Sequence, residues 1–215
     1  MQHTYYGNKD AKNVLIQMVD SHDLEVIESE YHHIKEMCSE DFLLACCKVE
    51  DWNRDLSPWG AAPVFGKEPF GGKAKDTLDH ILNTLIPEIN KEDISSERRY
   101  YIGGYSLAGL FALWAAYQKD VFCGVAAASP SIWFPGFLEY MKTNELHTKQ
   151  VYLSLGDKEE KAKNPVMASV GDCIRDAYAH LQSLPDINVT LEWNEGNHFK
   201  DSDLRTAKAF AWLLS

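Results

Sequence analysis

Apolar positions recur along this chain with two periods, and the periods alternate. The run Val14-Leu15-Ile16-Gln17-Met18-Val19 is short and almost wholly apolar, which predicts a strand buried on both faces. Leu24, Ile27, Tyr31, Ile34 and Cys38 then follow at three- and four-residue steps, the stripe of an amphipathic helix. Residues 42–49 predict a second strand. Residues 50–72 predict a connection rich in Pro, Gly and Trp, and loops of that length in compact domains are often functional. Leu78, Ile81, Leu82, Leu85 and Ile86 predict the next helix, closed by Pro87. A short strand at 100–103 leads into an Ala-rich, buried helix at 107–117. A strand of small residues at 124–128 and another strand at 151–155 come next. Val170, Ile174, Ala177, Tyr178 and Leu181 mark a helix. The last strand is expected at 189–193 and a terminal helix at about 204–214.

Strand and helix alternating in this way predict an α/β architecture: an open, mostly parallel sheet of about six strands with helices on both faces. Residues 1–215 read as one domain, without a cap domain. In such sheets ligands bind at the carboxyl ends of the strands.

Composition narrows the function. The net charge is −11, and no Lys/Arg cluster is present to neutralise several phosphates, which argues against a nucleic-acid partner. No apolar run reaches the length of a membrane span. The N-terminus shows no charged-then-apolar leader pattern, so a cytoplasmic location is expected. The five cysteines, Cys38, Cys46, Cys47, Cys123 and Cys173, are odd in number. They lack metal-ligand spacing, which predicts free thiols and no metal. Of the adjacent pair Cys46 and Cys47, one is expected to face the core.

Candidate chemistry falls at the ends of the predicted strands. Gly104-Tyr105-Ser106-Leu107-Ala108-Gly109 lies between a strand and a helix, the setting of a nucleophile elbow. Small residues two before and two after the serine keep strand and helix from clashing; here they are Gly104 and Ala108, with Ala in place of the usual second glycine. Gly196-Asn197-His198-Phe199 follows the last strand, where the base of such a site lies. The other seven histidines have no comparable placement. The acid is expected after the strand at 151–155, in Asp157-Lys158-Glu159-Glu160-Lys161. Reach over the sheet edge favours Glu159, then Glu160, then Asp157, and a Ser–His dyad stays open. For an oxyanion hole, Leu107 supplies one backbone N–H, and Ser21 or His22, after the first strand, the second. Trp52, Trp59, Trp133 and Phe134 are candidates for a substrate pocket or else cover the rim of the core, and Arg54 is a candidate to hold a substrate carboxylate or, the favoured use, to pair with a nearby acid.

On these residues the chain resembles the esterase branch of the α/β-hydrolases, which includes feruloyl and acetyl esterases and the siderophore-ester hydrolases related to enterochelin esterase. Residues 14–20 resemble that family's strand ending in Asp-Gly, with Ser21 where glycine is usual. Residues 42–56 resemble its second strand and the stretch after it, here ending Arg54-Asp55-Leu56. Residues 104–110 match the elbow, Ala126-Ala127-Ala128-Ser129-Pro130-Ser131-Ile132-Trp133 the small strand and its aromatic exit, and Gly196-Asn197-His198 the final loop. The resemblance implies hydrolysis of a small-molecule carboxylic ester through an acyl-enzyme, with Ser106 as nucleophile and His198 as base. That reaction implies no organic cofactor. A thioesterase or acyltransferase would use the same residues, and a binding protein on the same scaffold is the reading from another class. Oligomeric state and natural substrate are not legible.

Overall fold

The computed structural model of the chain describes residues 1–64, 66–90 and 98–215. In chain order its elements are β1 (Gln2–Gly7), β2 (Asn13–Val19), α1 (Asp23–Met37), β3 (Phe42–Lys48), α2 (Trp52–Leu56), β4 (Gly60–Ala61) and β5 (Phe70–Gly71). Next come α3 (Ala74–His80), a π-helical turn (Ile81–Leu85) and α4 (Ile86–Ile89). The second half holds β6 (Arg99–Tyr105), α5 (Leu107–Ala116), β7 (Phe122–Ala128), α6 (Phe137–Thr143) and β8 (Gln150–Gly156). A 3₁₀ turn (Glu159–Lys161), α7 (Pro165–Ala168), α8 (Val170–Ser183), β9 (Asn188–Asn194) and α9 (Ser202–Leu214) complete it.

The main sheet has seven strands, in the order β1-β3-β2-β6-β7-β8-β9. All neighbours are parallel except β1, which pairs antiparallel with β3. The expected six strands are present, and β1 is the addition. It carries the polar, half-buried sequence Gln-His-Thr-Tyr-Tyr-Gly. As an edge strand it lacks the apolar run by which a central strand is recognised. A separate two-stranded ribbon, β4–β5, and the short helix α2 structure the connection at 50–72. Asp51 caps α2 by accepting the Arg54 N–H at 2.9 Å.

Both faces of the sheet are covered. Val14, Ile16 and Met18 of β2 pack with Leu43 and Cys47 of β3 against α3 and α5, and Leu153 packs toward α8 on the same side. Leu15 and Val19 pack on the other face with Leu44 and Cys46, against Ile27 and Ile34 of α1 and Phe210 and Leu213 of α9. Cys46 and Cys47 are therefore both buried, one on each face. One of the pair was expected to face the core, and because helices cover both faces of the sheet the other is buried as well.

The helix expected to close at Pro87 instead runs on to Ile89. Proline lacks an N–H and its ring collides with the carbonyl four residues back. The π turn just before it widens the spiral there, and the chain continues.

Between β2 and β6 the strand order reverses: the chain leaves β2 for β3 on one side and returns to β6 on the other. The carboxyl end of β6 thus borders the crevice where open α/β sheets bind ligands.

One buried group gives this fold a pH dependence. Glu30 of α1 is 3% exposed and accepts a hydrogen bond from Gln17 Nε2 at 3.2 Å. Burial drives its carboxyl well above the ordinary range. The folded state therefore holds a proton that the unfolded chain releases near pH 4.5. Each pH unit above that value, up to the folded pKa, costs about 1.4 kcal/mol. Glu30→Gln is expected to match the wild type in unfolding free energy at pH 4 and to exceed it at pH 7, by urea denaturation at the two pH values; an unchanged difference would remove Glu30 as the cause.

Candidate active site

Ser106 stands between β6 and α5 with φ 57° and ψ −119°, a conformation non-glycine residues rarely adopt. Three backbone hydrogen bonds hold it there. Its N–H donates to Ala128 O at 3.1 Å, and its carbonyl accepts the N–H of Leu110 at 3.1 Å and of Ser131 at 3.0 Å. The turn also needs Gly104. Its φ is +155°, and a Cβ added there would lie 2.6 Å from that of Ala108. The small pair flanking the serine is thus a packing requirement. Gly109 serves the next step, since a Cβ on it would come within 3.0 Å of the Gly104 carbonyl.

His198 sits in the loop between β9 and α9. Its Nε2 lies 3.0 Å from Ser106 Oγ and its Nδ1 2.6 Å from Glu159 Oε2. With Nδ1–H donating to the carboxylate, Nε2 is left to accept the serine hydroxyl. Tyr105 Oη donates to the His198 carbonyl at 2.9 Å and steadies the loop.

Glu159, in the 3₁₀ turn after β8, is 6% exposed. Its Oε1 accepts from Ser129 Oγ at 2.7 Å, from the Gly156 N–H at 2.7 Å and from Arg205 Nη1 at 3.0 Å. Burial alone would raise this carboxyl. The hydrogen bond and charge of His198, with those of Ser129 and Gly156, outweigh it and hold the group below the ordinary range. The carboxylate is thus kept ionised beside the imidazole.

The other two candidate acids are placed elsewhere. Glu160 Oε2 accepts from Arg175 Nη2 at 2.8 Å, on α8. Asp157 Oδ1 accepts the Gly196 N–H at 2.7 Å and braces the loop that carries His198. Neighbouring side chains on a tight turn diverge, and only Glu159 points back over the sheet edge.

Of the oxyanion candidates, Leu107 opens α5, where the first N–H groups have no intrahelical acceptor. Ser21 and His22 line a hollow beside Trp52, next to the one that holds Ser106. The His22 N–H is already given to Asp20 Oδ1 at 2.7 Å, which removes it as a donor.

Ser106 and His198 open into a cavity of about 520 Å³. Trp52 and Trp133 line it, together with Met167, Val170 and the 88%-exposed Phe199. Of the other candidates, Phe134 and Trp59 are corrected as pocket residues. Phe134 is 2% exposed and packs against Phe70 and Trp59 in the core. Trp59 donates its Nε1–H to Pro135 O at 3.0 Å and stacks among Phe134, Phe137 and Tyr140. Arg54 is held by Asp55 at 2.7 Å, with Glu50 at 3.7 Å.

Arg205, Ser129 and Ser131 were missed. Arg205 is 1% exposed on α9 and bonds Glu159, Tyr105 Oη at 3.0 Å and the Glu195 carbonyl at 3.1 Å. Its only trace in the sequence is an arginine four residues before Ala209 on the apolar stripe of the terminal helix. Ser131 Oγ lies 3.3 Å from Ser106 Oγ, and nothing in Ser129-Pro130-Ser131 marks either hydroxyl.

With fold and geometry in hand, the class is clear: the chain has the α/β-hydrolase fold. It superposes on an IroE-like serine hydrolase from Shewanella oneidensis over 99% of this chain and 75% of that one, with a TM-score of 0.77 at 17% identity. The siderophore hydrolase EstB from Aspergillus nidulans matches 94% of this chain and 82% of its own, with a TM-score of 0.72 at 16% identity. FphF, a fluorophosphonate-binding serine hydrolase of Staphylococcus aureus, matches 95% and 84%, with a TM-score of 0.62 at 12% identity. No family model matches the sequence, and no curated protein does. Among the described residues no helix is long and apolar enough to cross a membrane.

The buried pair of Glu159 and Arg205, 4% and 2% exposed at their side chains, generates a stability prediction. Arg205→Met strands a buried carboxylate and is expected to lower the unfolding free energy by about 3–5 kcal/mol. Arg205→Met/Glu159→Gln should recover part of that loss. Additive losses in the double-mutant cycle would show that the two groups do not act as a pair.

Proposed function

We propose that this protein is a serine hydrolase that cleaves carboxylic esters of small molecules through an acyl-enzyme. The observation that carries the reading is one unbroken hydrogen-bond chain: Ser106 Oγ to His198 Nε2 at 3.0 Å, and His198 Nδ1 to the buried Glu159 at 2.6 Å. The similarity to serine hydrolases and siderophore hydrolases of the same fold supports it. A binding protein would have no use for a strained serine, an imidazole and a buried carboxylate in this order.

In this mechanism His198 takes the Ser106 proton as Oγ attacks the ester carbonyl. Glu159 holds the imidazole tautomer and offsets the imidazolium charge. The Leu107 N–H stabilises the developing oxyanion, and Ser21, in the loop after β2, is the candidate for the second donor. His198 then returns its proton to the leaving alkoxide. Water, deprotonated by His198, attacks the acyl-enzyme, and as the acyl–Oγ bond breaks His198 returns that proton to Ser106 Oγ and the acid is freed. The cavity beside Ser106 is walled by Trp52, Trp133, Met167 and Val170, which suits an apolar acyl or alcohol group. Among the described residues that line it there is no Lys or Arg to hold a substrate carboxylate, and the net charge of −11 disfavours anionic esters.

A fluorophosphonate probe is expected to label Ser106 covalently in the folded protein. Ser106→Ala should abolish labelling and turnover while preserving the circular dichroism spectrum. Glu159→Gln should lower kcat by about 10⁴-fold with little change in KM. Glu160→Gln, on the α8 side of the turn, should stay within about tenfold of wild type. Hydrolysis of an apolar ester by Ser106→Ala at the wild-type rate would defeat the proposal.

A further inference from the structure

A second constellation lies away from Ser106, where β1, β3 and α3 meet. In the β1–β3 ladder His3 is the direct partner of Cys47. Directly opposed residues of an antiparallel pair project from the same face, with their Cβ atoms about 5 Å apart. His80, the last residue of α3, packs onto that face and brings its Nε2 to 2.8 Å from His3 Nε2. One imidazole nitrogen from each histidine and the Cys47 thiol all lie within 4.8 Å of one another. Cys47 is buried and the two histidines half-buried.

We propose that His3, Cys47 and His80 form a binding site for a zinc-class divalent cation, with Glu88 orienting the first imidazole. Two imidazoles and a thiolate are the donors that suit zinc, at about 2.0–2.1 Å for nitrogen and 2.3 Å for sulfur. Glu88 gives the second observation. Its Oε2 lies 3.0 Å from His3 Nδ1, and Tyr5 Oη donates to its other oxygen at 3.0 Å. A carboxylate on the far nitrogen fixes the tautomer of a metal-binding histidine. Here it places the proton on Nδ1 and turns the Nε2 lone pair toward Cys47 and His80. His80 shares its Nε2 proton with that lone pair in the metal-free state. Binding therefore moves the His80 proton to Nδ1 and releases the Cys47 thiol proton to solvent, so that three lone pairs face the cation. Two nitrogens on a tetrahedral zinc stand about 3.3 Å apart, against the 2.8 Å seen between the rings. A separation of about half an ångström, taken up by the half-buried end of α3, makes room.

His80 also lines an open hollow of about 500 Å³ with Met1 and the carboxylates of Asp55, Asp76 and Glu50, and the Cys47 thiol lies 3.6 Å from Met1 Sδ. Arg54 and Lys73 lie there too, paired with Asp55 at 2.7 Å and Asp76 at 3.4 Å. The hollow thus gives a hydrated cation an approach from the His80 side. A site made this way ties the antiparallel edge strand β1 to α3 and should stabilise the folded chain by mass action.

The test uses the whole protein, freed of metal with a chelator and titrated with zinc by equilibrium dialysis and calorimetry. One zinc per chain is expected, with a rise in Tm. His80→Gln and Cys47→Ala are each expected to weaken binding by about 100-fold or more, and Glu88→Gln by about tenfold. Cobalt in place of zinc should show thiolate-to-metal charge-transfer absorption that Cys47→Ala abolishes. Absence of saturable uptake would overturn the proposal. So would uptake unchanged in His80→Gln and Cys47→Ala, or a cobalt complex without the thiolate band, since either places the ion on other groups. If Cys47→Ala disturbs the core by circular dichroism, His80→Gln and the cobalt spectrum of the wild type decide the matter between them.

Discussion

The carboxylate of Glu159 is the group around which the edge of this sheet is organised. A charge that is 6% exposed survives in a protein interior only where other groups replace its water. Four donors do so here: the Gly156 N–H from the end of β8, Ser129 Oγ from the end of β7, Arg205 from α9 and His198 from the β9–α9 loop. Each comes from a different element. The carboxylate is therefore a statement about how β7, β8, β9 and α9 sit together, and the orientation of His198 follows from it. Ser129 itself has φ 42°, a strained backbone that the same network holds in place.

Strain at one strand end and charge at another meet at His198. Ser106 depends on three backbone bonds and on the smallness of Gly104 and Ala108. Glu159 depends on buried polar partners. The imidazole bridges the two, and its loop is held from below by Tyr105 and Asp157. Every one of these groups lies at the carboxyl edge of the sheet, and Ser106 stands beside the point where strand order reverses. On the proposed reading, a substrate carbonyl at Ser106 meets donors and a base that need no rearrangement, which is the condition for electrostatic stabilisation of a transition state. The proposed cation site occupies the opposite kind of place, the antiparallel flank where β1 joins the sheet, and so can act on stability without touching this chemistry.

The central strands, the helices and the placement of Ser106 and His198 were legible in the sequence because each rests on local pattern: a continuous apolar run, a 3.6-residue stripe, a small-x-Ser-x-small turn between strand and helix. Glu159 was legible as one of three neighbouring acids. Choosing it over Glu160 and Asp157 rested on reach, and the structure shows that reach: one carboxylate turns inward while Arg175 and the Gly196 N–H hold the other two. What the pattern misled was equally local. The edge strand β1 has no apolar run, the π turn carries the helix past Pro87, and Phe134 and Trp59 are spent on core packing.

By itself, then, the chain's pattern of apolar and polar residues determined the layered α/β architecture and the two loops that carry Ser106 and His198, since both follow from contacts between residues near in sequence. Only the tertiary structure decided that Arg205 meets Glu159, that the His22 N–H is consumed by Asp20, and that His3, Cys47 and His80 converge. Those outcomes depend on strand register and on the packing of α9 and α3 against the sheet. Register and packing are set by the summed burial of both faces, a quantity that no short stretch of sequence contains.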